Sequence, residues 1–158
     1  MRIQPGAGIR NMMTMFLEPG PDGGIDWATL RLDGPLQPKE RPRQGIGRSF
    51  TSAKYRAWLA SSQASLKQQW GDRPPLQYAL AGFEFHGHGR SDVDNLQGAV
   101  LDAAVKAGVL TDDRCSLVPG GIQWWQPAPT DQQVSFLYLR PWWPSEKTKG
   151  KRLAGSRV

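Results

Sequence analysis

The stretch from Leu76 to Phe85 limits the fold more than any other part of the sequence, because both of its alternating faces are apolar or small. One face carries Tyr78, Leu80 and Gly82, and the other carries Ala79, Ala81, Phe83 and Phe85. A strand with this pattern is buried on both sides, so it has to lie inside a covered sheet. The 18 Gly and 13 Pro residues also favour a loop-rich domain over a helical bundle. We therefore predict a central strand that ends at the glycines 87 and 89.

Two segments with helical periodicity flank this strand. Thr51 or Ser52 can cap the first, which ends at Gly71, and its apolar positions recur at spacings of three and four: Tyr55, Trp58, Leu59, Ser62, Leu66 and Trp70. The second runs from residue 94 to 107 and ends at Gly108, with one stripe formed by Leu96, Ala99, Val100, Ala103 and Ala107. Both segments are predicted to be long helices that cover the sheet.

The other strands are read from alternation and turn residues. Residues 27–32 alternate and end at a turn, so they predict a first strand, whereas residues 37–43 form an extended basic segment that proline keeps from being helical. Residues 114–125 and 133–139 predict the last two strands, paired as a hairpin around residues 127–129. The order β-α-β-α-β-β predicts an α+β (mixed α/β) domain with about four strands and two long helices.

The length of 158 residues fits one domain, which we place at residues 27–143, between a flexible segment at 1–26 and a basic tail at 144–158. A single cysteine, Cys115, excludes an internal disulfide and a cysteine-based zinc cage. No apolar run approaches the length of a membrane span, and the run at residues 12–17 is too short for a signal peptide. We expect a cytoplasmic protein that makes no contact with a membrane.

The charge distribution indicates a polyanionic partner and one acidic site. The net charge is +6 with a pI near 9.8. Residues 39–73 carry eight basic side chains against two acidic ones, and residues 140–158 carry six against one. Residues 84–113 instead carry six carboxylates against two basic side chains. Such an acidic stretch is either a hydrated surface helix or a set of metal ligands among phosphate-binding cations.

The carboxylates of this stretch stand where elements meet. Asp92 and Asp94 fall between the central strand and the second helix, and Asp113 follows the same helix. Together they would supply hard oxygen ligands for Mg²⁺ or Mn²⁺. Asp92 and Asp94 can also serve as ordinary helix caps, and residues 112–113 as an ordinary turn. Because a helix returning along a sheet has its ends at opposite ends of the sheet, the three meet only if the chain doubles back or the acidic loop reaches along the sheet.

The longer sequence motif around these aspartates favours metal ligands over ordinary helix caps and turns. Residues 85–95 (Phe-His-Gly-His-Gly-Arg-Ser-Asp-Val-Asp-Asn), Leu-Asp-Ala-Ala at 101–104 and Gly-Val-Leu-Thr-Asp-Asp at 108–113 resemble the RusA family of Holliday junction resolvases. The family pattern is R-x-D-x-D-N, a helix with D-A-L, and then G-x-x-x-D-D. Upstream, Gly-Pro at 34–35, the proline-rich basic segment and Thr-x-x-Lys-Tyr at 51–55 are similar to the family's N-terminal half. The resemblance covers residues 30–139.

The resemblance implies a homodimeric, Mg²⁺-dependent endodeoxyribonuclease that resolves four-way DNA junctions in recombination and repair, and that associates with the nucleoid when bound to DNA. It implies that Asp92, Asp94 and Asp113 are the metal-binding catalytic residues, with Mn²⁺ as a possible substitute for Mg²⁺, and that Arg90 lies near the scissile phosphate. The side chains expected to contact DNA phosphates are basic: Lys39, Arg41, Arg43, Arg48 and Lys54.

One position departs from the family. Gly98 stands where members usually have a helical lysine, four residues after the second aspartate. Lys106 is too far along the helix to replace that cation, whereas Arg114, Lys39 or a residue of a second subunit can supply it. We expect reduced, retuned or conditional activity. Two alternatives stay open: a junction-binding protein with weakened catalysis, and a metal-dependent hydrolase of small phosphorylated substrates.

Two weaker signals concern histidine and tryptophan. His86 and His88 are predicted to be exposed in a glycine-rich loop rather than to bind a transition metal. The pairs Trp124–Trp125 and Trp142–Trp143 are predicted to lie in the core or in a dimer interface, with stacking on unpaired bases as the alternative.

Overall fold

The computed structural model describes residues 28–41, 43–45, 48–119 and 121–141, with the backbone alone at 43–45 and 48–50. Within these residues, six strands and two α-helices follow one another: β1 (Ala28–Asp33), β2 (Arg43–Gly45), β3 (Arg48–Phe50), α1 (Ala53–Trp70), β4 (Ala79–His86), α2 (Val93–Lys106), β5 (Gly121–Gln126) and β6 (Val134–Pro141). A single 3₁₀ turn at Thr130–Gln132 precedes β6. The tails predicted at 1–26 and 144–158, and the pair Trp142–Trp143, lie outside the described residues.

The main sheet has four strands in the order β1-β6-β4-β5. Strand β6 is antiparallel to both β1 and β4, and β5 is parallel to β4. Strand β4 is therefore paired along both edges, and all of its residues except Leu80 are buried. The prediction of a central, doubly covered strand is confirmed, with the strand starting three residues later than expected. Leu76 instead forms an isolated bridge with Leu110.

The predicted hairpin between the last two strands is wrong, because β4 lies between β5 and β6. After α2 the chain enters the sheet parallel to β4, with Phe83 opposite Gln123 on one side and opposite Leu137 on the other. A parallel neighbour needs a crossover connection, which α2 supplies. The first part of the predicted strand is a turn instead, in which the amide N–H groups of Leu117 and Val118 donate to the carbonyl of Arg114.

Both predicted helices are confirmed to within two residues. Helix α1 begins after Ser52, whose hydroxyl accepts a hydrogen bond from the amide of Tyr55, as a helix cap does. It ends at Gly71, whose φ of +67° suits a residue without Cβ. Helix α2 ends just before Gly108, which also has a positive φ of +74°.

The end of the proline-rich basic segment leads into an element that the sequence did not predict. Strands β2 and β3 form a small antiparallel hairpin, with Arg43 opposite Phe50 and Gly45 opposite Arg48. Each strand has three residues, and Phe50 is the one large apolar residue among the six, so no alternating apolar pattern marks them in the sequence. The hairpin lies in the connection between β1 and α1.

The hydrophobic core lies between the two helices and one face of the sheet. Its largest members are Phe83 and Phe85 of β4, Leu30 of β1, and Leu66 and Trp70 of α1. The small residues of α2, Ala99, Ala103 and Ala104, are fully buried and let this helix approach the other elements closely. The chain is thus an α+β domain with a four-stranded mixed sheet and two long helices. Among the described residues, no helix is long and apolar enough to cross a membrane.

Candidate metal and phosphate site

The first predicted site residues, Asp92 and Asp94, lie at the start of α2. Asp92 is the N-cap residue, with an extended backbone (φ −66°, ψ 139°), but its carboxylate makes no capping hydrogen bond. Asp94 is in the first turn of the helix, and both side chains are exposed. Within the described part of the chain, neither carboxylate has a hydrogen-bond or ion-pair partner. The capping hydrogen bond that the sequence allowed for Asp92 is therefore absent, and the carboxylates of Asp92 and Asp94 are both exposed, two residues apart in the chain.

Arg90 is exposed in the loop that precedes this pair. The loop passes close to β5, where the Trp125 ring lies against Gly89. A Cβ atom built on Gly89 would be 2.9 Å from the nearest atom of that ring. Glycine at 89 therefore lets the indole approach the loop that carries Arg90 more closely than a residue with a side chain would.

Lys39 lies across α2 at the position of Gly98. Its amide N–H donates to the carbonyl of Asn95 at 2.8 Å, and its ammonium donates to Asp102 Oδ1 at 3.1 Å. A Cβ atom on Gly98 would be 3.1 Å from Lys39 Cδ and 3.8 Å from its Cβ. The lysine stem therefore occupies the space that a side chain at position 98 would take.

Asp102 also interacts with Tyr55 of α1. The phenol hydroxyl donates to Asp102 Oδ2 at 3.4 Å. Burial, followed by the charge and hydrogen bond of Asp102 and the charge of Glu40, raises the pKa of Tyr55 to about 12. The phenol therefore stays protonated at neutral pH and remains a donor to Asp102.

A second contact holds the basic segment beside α1. The carboxylate of Glu40 accepts hydrogen bonds from the hydroxyl of Ser52 at 2.6 Å and from its amide at 2.8 Å. Arg41 and Lys54, one and two residues from these groups, are exposed. The structure thus brings Lys39, Arg41 and Lys54 to neighbouring parts of the two helices. Arg43 and Arg48 lie on β2 and β3, and their side chains are outside the described atoms.

The third carboxylate, Asp113, lies at the other end of α2. The chain on either side of it is bonded to the start of β4: Thr111 donates to the Leu76 carbonyl at 3.1 Å, and the Leu117 carbonyl accepts from Ala79 at 3.0 Å. Asp92 instead follows the far end of β4. The 14 residues of α2 span about 21 Å. Asp113 is therefore far from Asp92 and Asp94 of the same chain.

Asp112 and Arg114 are paired with each other at this far end. Partial desolvation acts to raise the pKa of Asp112, but hydrogen bonds from the backbone and guanidinium of Arg114 outweigh it and hold that pKa below its ordinary value. The Nε–Oδ2 distance is 2.5 Å. Of the cations considered as substitutes at position 98, Arg114 is therefore engaged elsewhere, and Lys39 is the one that lies there.

No group of three or more His, Cys, Asp or Glu side chains in the described ranges is arranged to hold a metal ion. Two carboxylates are nevertheless a suitable basis for Mg²⁺, which is commonly bound by one or two carboxylates together with water and substrate phosphates. Asp92 and Asp94 fit that pattern because both supply hard oxygen donors, and neither carboxylate has a partner among the residues that the structure describes.

The prediction for His86 is wrong, whereas His88 is exposed as expected. His86 closes β4 and is 1% exposed, with its Nε2 2.6 Å from Glu84 Oε1 and its Nδ1 2.7 Å from the amide nitrogen of Gln126. The Tyr138 hydroxyl donates to Glu84 Oε2 at 2.6 Å. These side chains lie on the face of the sheet opposite the two helices. The alternation of Glu84 and His86 within a buried strand was the signal that could have revealed this network.

The tryptophans of β5 are exposed, so this pair does not lie in the core, and the prediction of a dimer interface remains a prediction. Trp124 is 47% exposed and Trp125 is 42% exposed. They belong to an edge strand of the main sheet. By register Trp124 is opposite Glu84, on one face, and Trp125 is opposite Phe85, on the helix-covered face. Trp125 is the one that borders the Arg90 loop.

Comparison of the chain with models of known protein families and with curated proteins found no match.

Proposed function

We propose that this chain is a Mg²⁺-dependent endodeoxyribonuclease that resolves four-way DNA junctions as a homodimer. The observation that carries the proposal is that the carboxylate of Asp92, at the N-cap of α2, accepts no capping hydrogen bond from the helix. An aspartate at an N-cap normally accepts a hydrogen bond from the helix, which stabilises the helix by about 1 kcal/mol. Here the Asp92 carboxylate makes no such bond and is exposed, two residues before the exposed Asp94.

The surroundings of this pair suit a phosphodiester. Arg90 precedes it by two residues, and a guanidinium can donate two hydrogen bonds to one phosphate. The N-terminus of α2 adds a partial positive charge, which favours an anion. A Mg²⁺ ion held by Asp92 and Asp94 would lower the pKa of a bound water and neutralise charge on the phosphate.

Basic and aromatic side chains extend the same surface. Lys39, Arg41 and Lys54 would contact the DNA backbone, which gives affinity without sequence preference. Trp125, exposed beside the Arg90 loop, would stack on a base unpaired at a junction. These contacts favour a branched polyanion over a small phosphorylated substrate, whose binding would depend little on salt.

In this proposal Asp113 joins the site from the second copy of the chain in the homodimer, because the length of α2 separates it from Asp92 within one chain. Mixing two inactive variants tests the arrangement. In a mixed dimer of Asp92→Asn and Asp113→Asn subunits, a shared arrangement leaves one site with both mutations and one site with none. Nicking of one strand would then return. If the mixture stays inactive, the shared arrangement is refuted.

The proposed function itself is tested by cleavage of a synthetic four-way junction with and without Mg²⁺, with a linear duplex as the competing substrate. We expect paired symmetric nicks in the junction only, and their loss in Asp92→Asn. Asp72→Asn, which removes an exposed carboxylate in the turn after α1, is the matched control and should cleave normally. Equal cleavage by Asp92→Asn and Asp72→Asn would refute the proposed metal site.

A second candidate is a junction-binding protein that does not cleave. The separation of Asp113 from Asp92 favours it, because a single chain then has two carboxylates at the site instead of three. Tight junction binding with no nicks in Mg²⁺ or Mn²⁺ would support this candidate. Binding that falls steeply with salt would distinguish both candidates from a hydrolase of small phosphorylated substrates.

A further inference from the structure

The side chain of Lys39 follows one stripe of α2. Its backbone is fixed at Asn95 by the 2.8 Å hydrogen bond, its stem passes Gly98, and its ammonium reaches Asp102. These three helix positions are spaced by three and four residues, so they share a face. Asp94, one turn before Gly98, continues that face toward the start of the helix.

Gly98 is what makes this path available. A Cβ atom there would come within 3.1 Å of Lys39 Cδ, closer than ordinary van der Waals contact. Any longer side chain would occupy the path of the stem. An interior helical glycine costs stability relative to alanine, and here it gives room for a lysine from another segment.

Two carboxylates of α2 lie at equal spacing from Gly98, one on each side of it along the helix. Asp94 and Asp102 are each four residues from Gly98, which is about 6 Å along the helix axis. A lysine side chain also reaches about 6 Å from its Cα. Rotation about the bonds of the stem would therefore bring the ammonium from Asp102 to the Asp94 end of the stripe, while the backbone stays bonded to Asn95.

The contact with Asp102 is of the kind that a phosphate can displace. The Lys39 side chain is 44% exposed and that of Asp102 is 26% exposed, and ion pairs this accessible are weak. Asp102 keeps its hydrogen bond from Tyr55 when the lysine leaves. The carboxylate is thus not left without a donor.

From this geometry we propose that Lys39 is a phosphate-contacting residue of the site, stored on Asp102 and brought across Gly98 to a phosphodiester bound near Asp94. The inference rests on the proposed function and specifies its cation. It makes Lys39 the partner of Arg90 in binding the scissile phosphate. Asp102 and Tyr55 are positioning residues that hold the lysine when no DNA is bound.

The test compares Lys39→Met, which keeps the stem but removes the charge, with Lys106→Met, which removes an exposed lysine from the last turn of the same helix. Junction binding is measured without metal over a salt series, and single-turnover cleavage is measured with Mg²⁺. For Lys39→Met we expect the slope of log K against log salt to fall by about 0.9, the value for one phosphate contact. We also expect cleavage to slow by at least about tenfold, the effect of one charge-assisted hydrogen bond. Lys106→Met should change neither quantity.

Two further variants test the path. Combining Gly98→Lys with Lys39→Ala, which clears the stem from the path, places a cation on the same stripe and should restore the salt slope and most of the cleavage rate that Lys39→Ala loses. Asp102→Asn weakens the hold on the ammonium and should tighten junction binding by about 1.5-fold to fivefold, the range for an exposed ion pair. Thermal unfolding of each variant confirms that it is folded.

The outcomes separate this inference from the proposed function. If the wild type cleaves and Lys39→Met matches Lys106→Met, the role of Lys39 is refuted and the proposed function stands. A loss in Lys39→Ala that Gly98→Lys does not restore also counts against it, since the proposal requires a cation on this stripe. If the wild type binds without cleaving, the salt slope alone decides on Lys39. If it neither binds nor cleaves, both proposals fail.

Discussion

Replacing Gly98 with alanine should stabilise the protein slightly, and the size of the gain depends on Lys39. An interior helical glycine is about 0.8–1.0 kcal/mol less favourable than alanine. The new Cβ would come within 3.1 Å of Lys39 Cδ, so the stem has to shift by a few tenths of an ångström. That shift strains an exposed ion pair worth at most about 1 kcal/mol. We expect a net gain of about 0.5 kcal/mol in the free energy of unfolding.

The contribution of Lys39 follows from a double-mutant cycle. In a Lys39→Ala background the stem is absent, so Gly98→Ala should gain the full amount of about 1 kcal/mol. Urea unfolding followed by tryptophan fluorescence measures all four proteins, because Trp70 is buried in the core. The expected coupling is about 0.5 kcal/mol, of the size that such cycles find for residues in contact.

Gly108→Ala is the matched control. Nothing lies within 4 Å of a Cβ at this position, but its φ of +74° disfavours any residue with a side chain, so the substitution should destabilise. Equal gains from Gly98→Ala in the two backgrounds would refute the contact with Lys39. A loss of stability in the wild-type background would show that the stem does not give way.

Two predictions concern the buried polar groups. Tyr138→Phe removes a hydrogen bond to the fully buried carboxylate of Glu84, so it should lower the free energy of unfolding by about 1–3 kcal/mol; a change below about 0.5 kcal/mol in urea unfolding would contradict this. Because the pKa of Tyr55 is raised from 10.0 to about 12, its neutral form contributes stability fully below pH 10, and that contribution is lost as the pH rises toward 12. Wild type should therefore lose more stability than Tyr55→Phe between pH 10 and 11.5, and parallel pH profiles would exclude the effect.

Local patterns were enough to predict the elements that depend on their own residues. The caps at Ser52 and Gly71 and the spacing of the apolar residues between them defined α1, because helix ends are set by nearby side chains and backbone conformation. The apolar character of both faces of β4 identified it as the central strand. The position of Asp92 and Asp94 at the start of α2 followed from the same local signals.

Pairing and contact between distant segments needed the tertiary structure. The sequence predicted β5 beside β6, whereas β4 separates them, because neighbours in a sheet are chosen by the packing of α2 and the pairing of both edges of β4. The sequence predicted that His86 lies in an exposed loop, but it is the buried last residue of β4. Its partner Glu84 lies two residues earlier on the same face of the strand, and Glu84 in turn accepts a hydrogen bond from Tyr138 of the distant strand β6.

The amino-acid sequence by itself determined which side chains are available to the candidate site, and the glycine at position 98 among them. Only the tertiary structure decided that Lys39 crosses that glycine and that α2 separates Asp113 from Asp92. The physical reason is range. Caps, periodicity and backbone preferences act over a few residues, whereas the path of Lys39 joins segments some sixty residues apart, its ammonium meeting Asp102 through the packing of α1, α2 and the sheet.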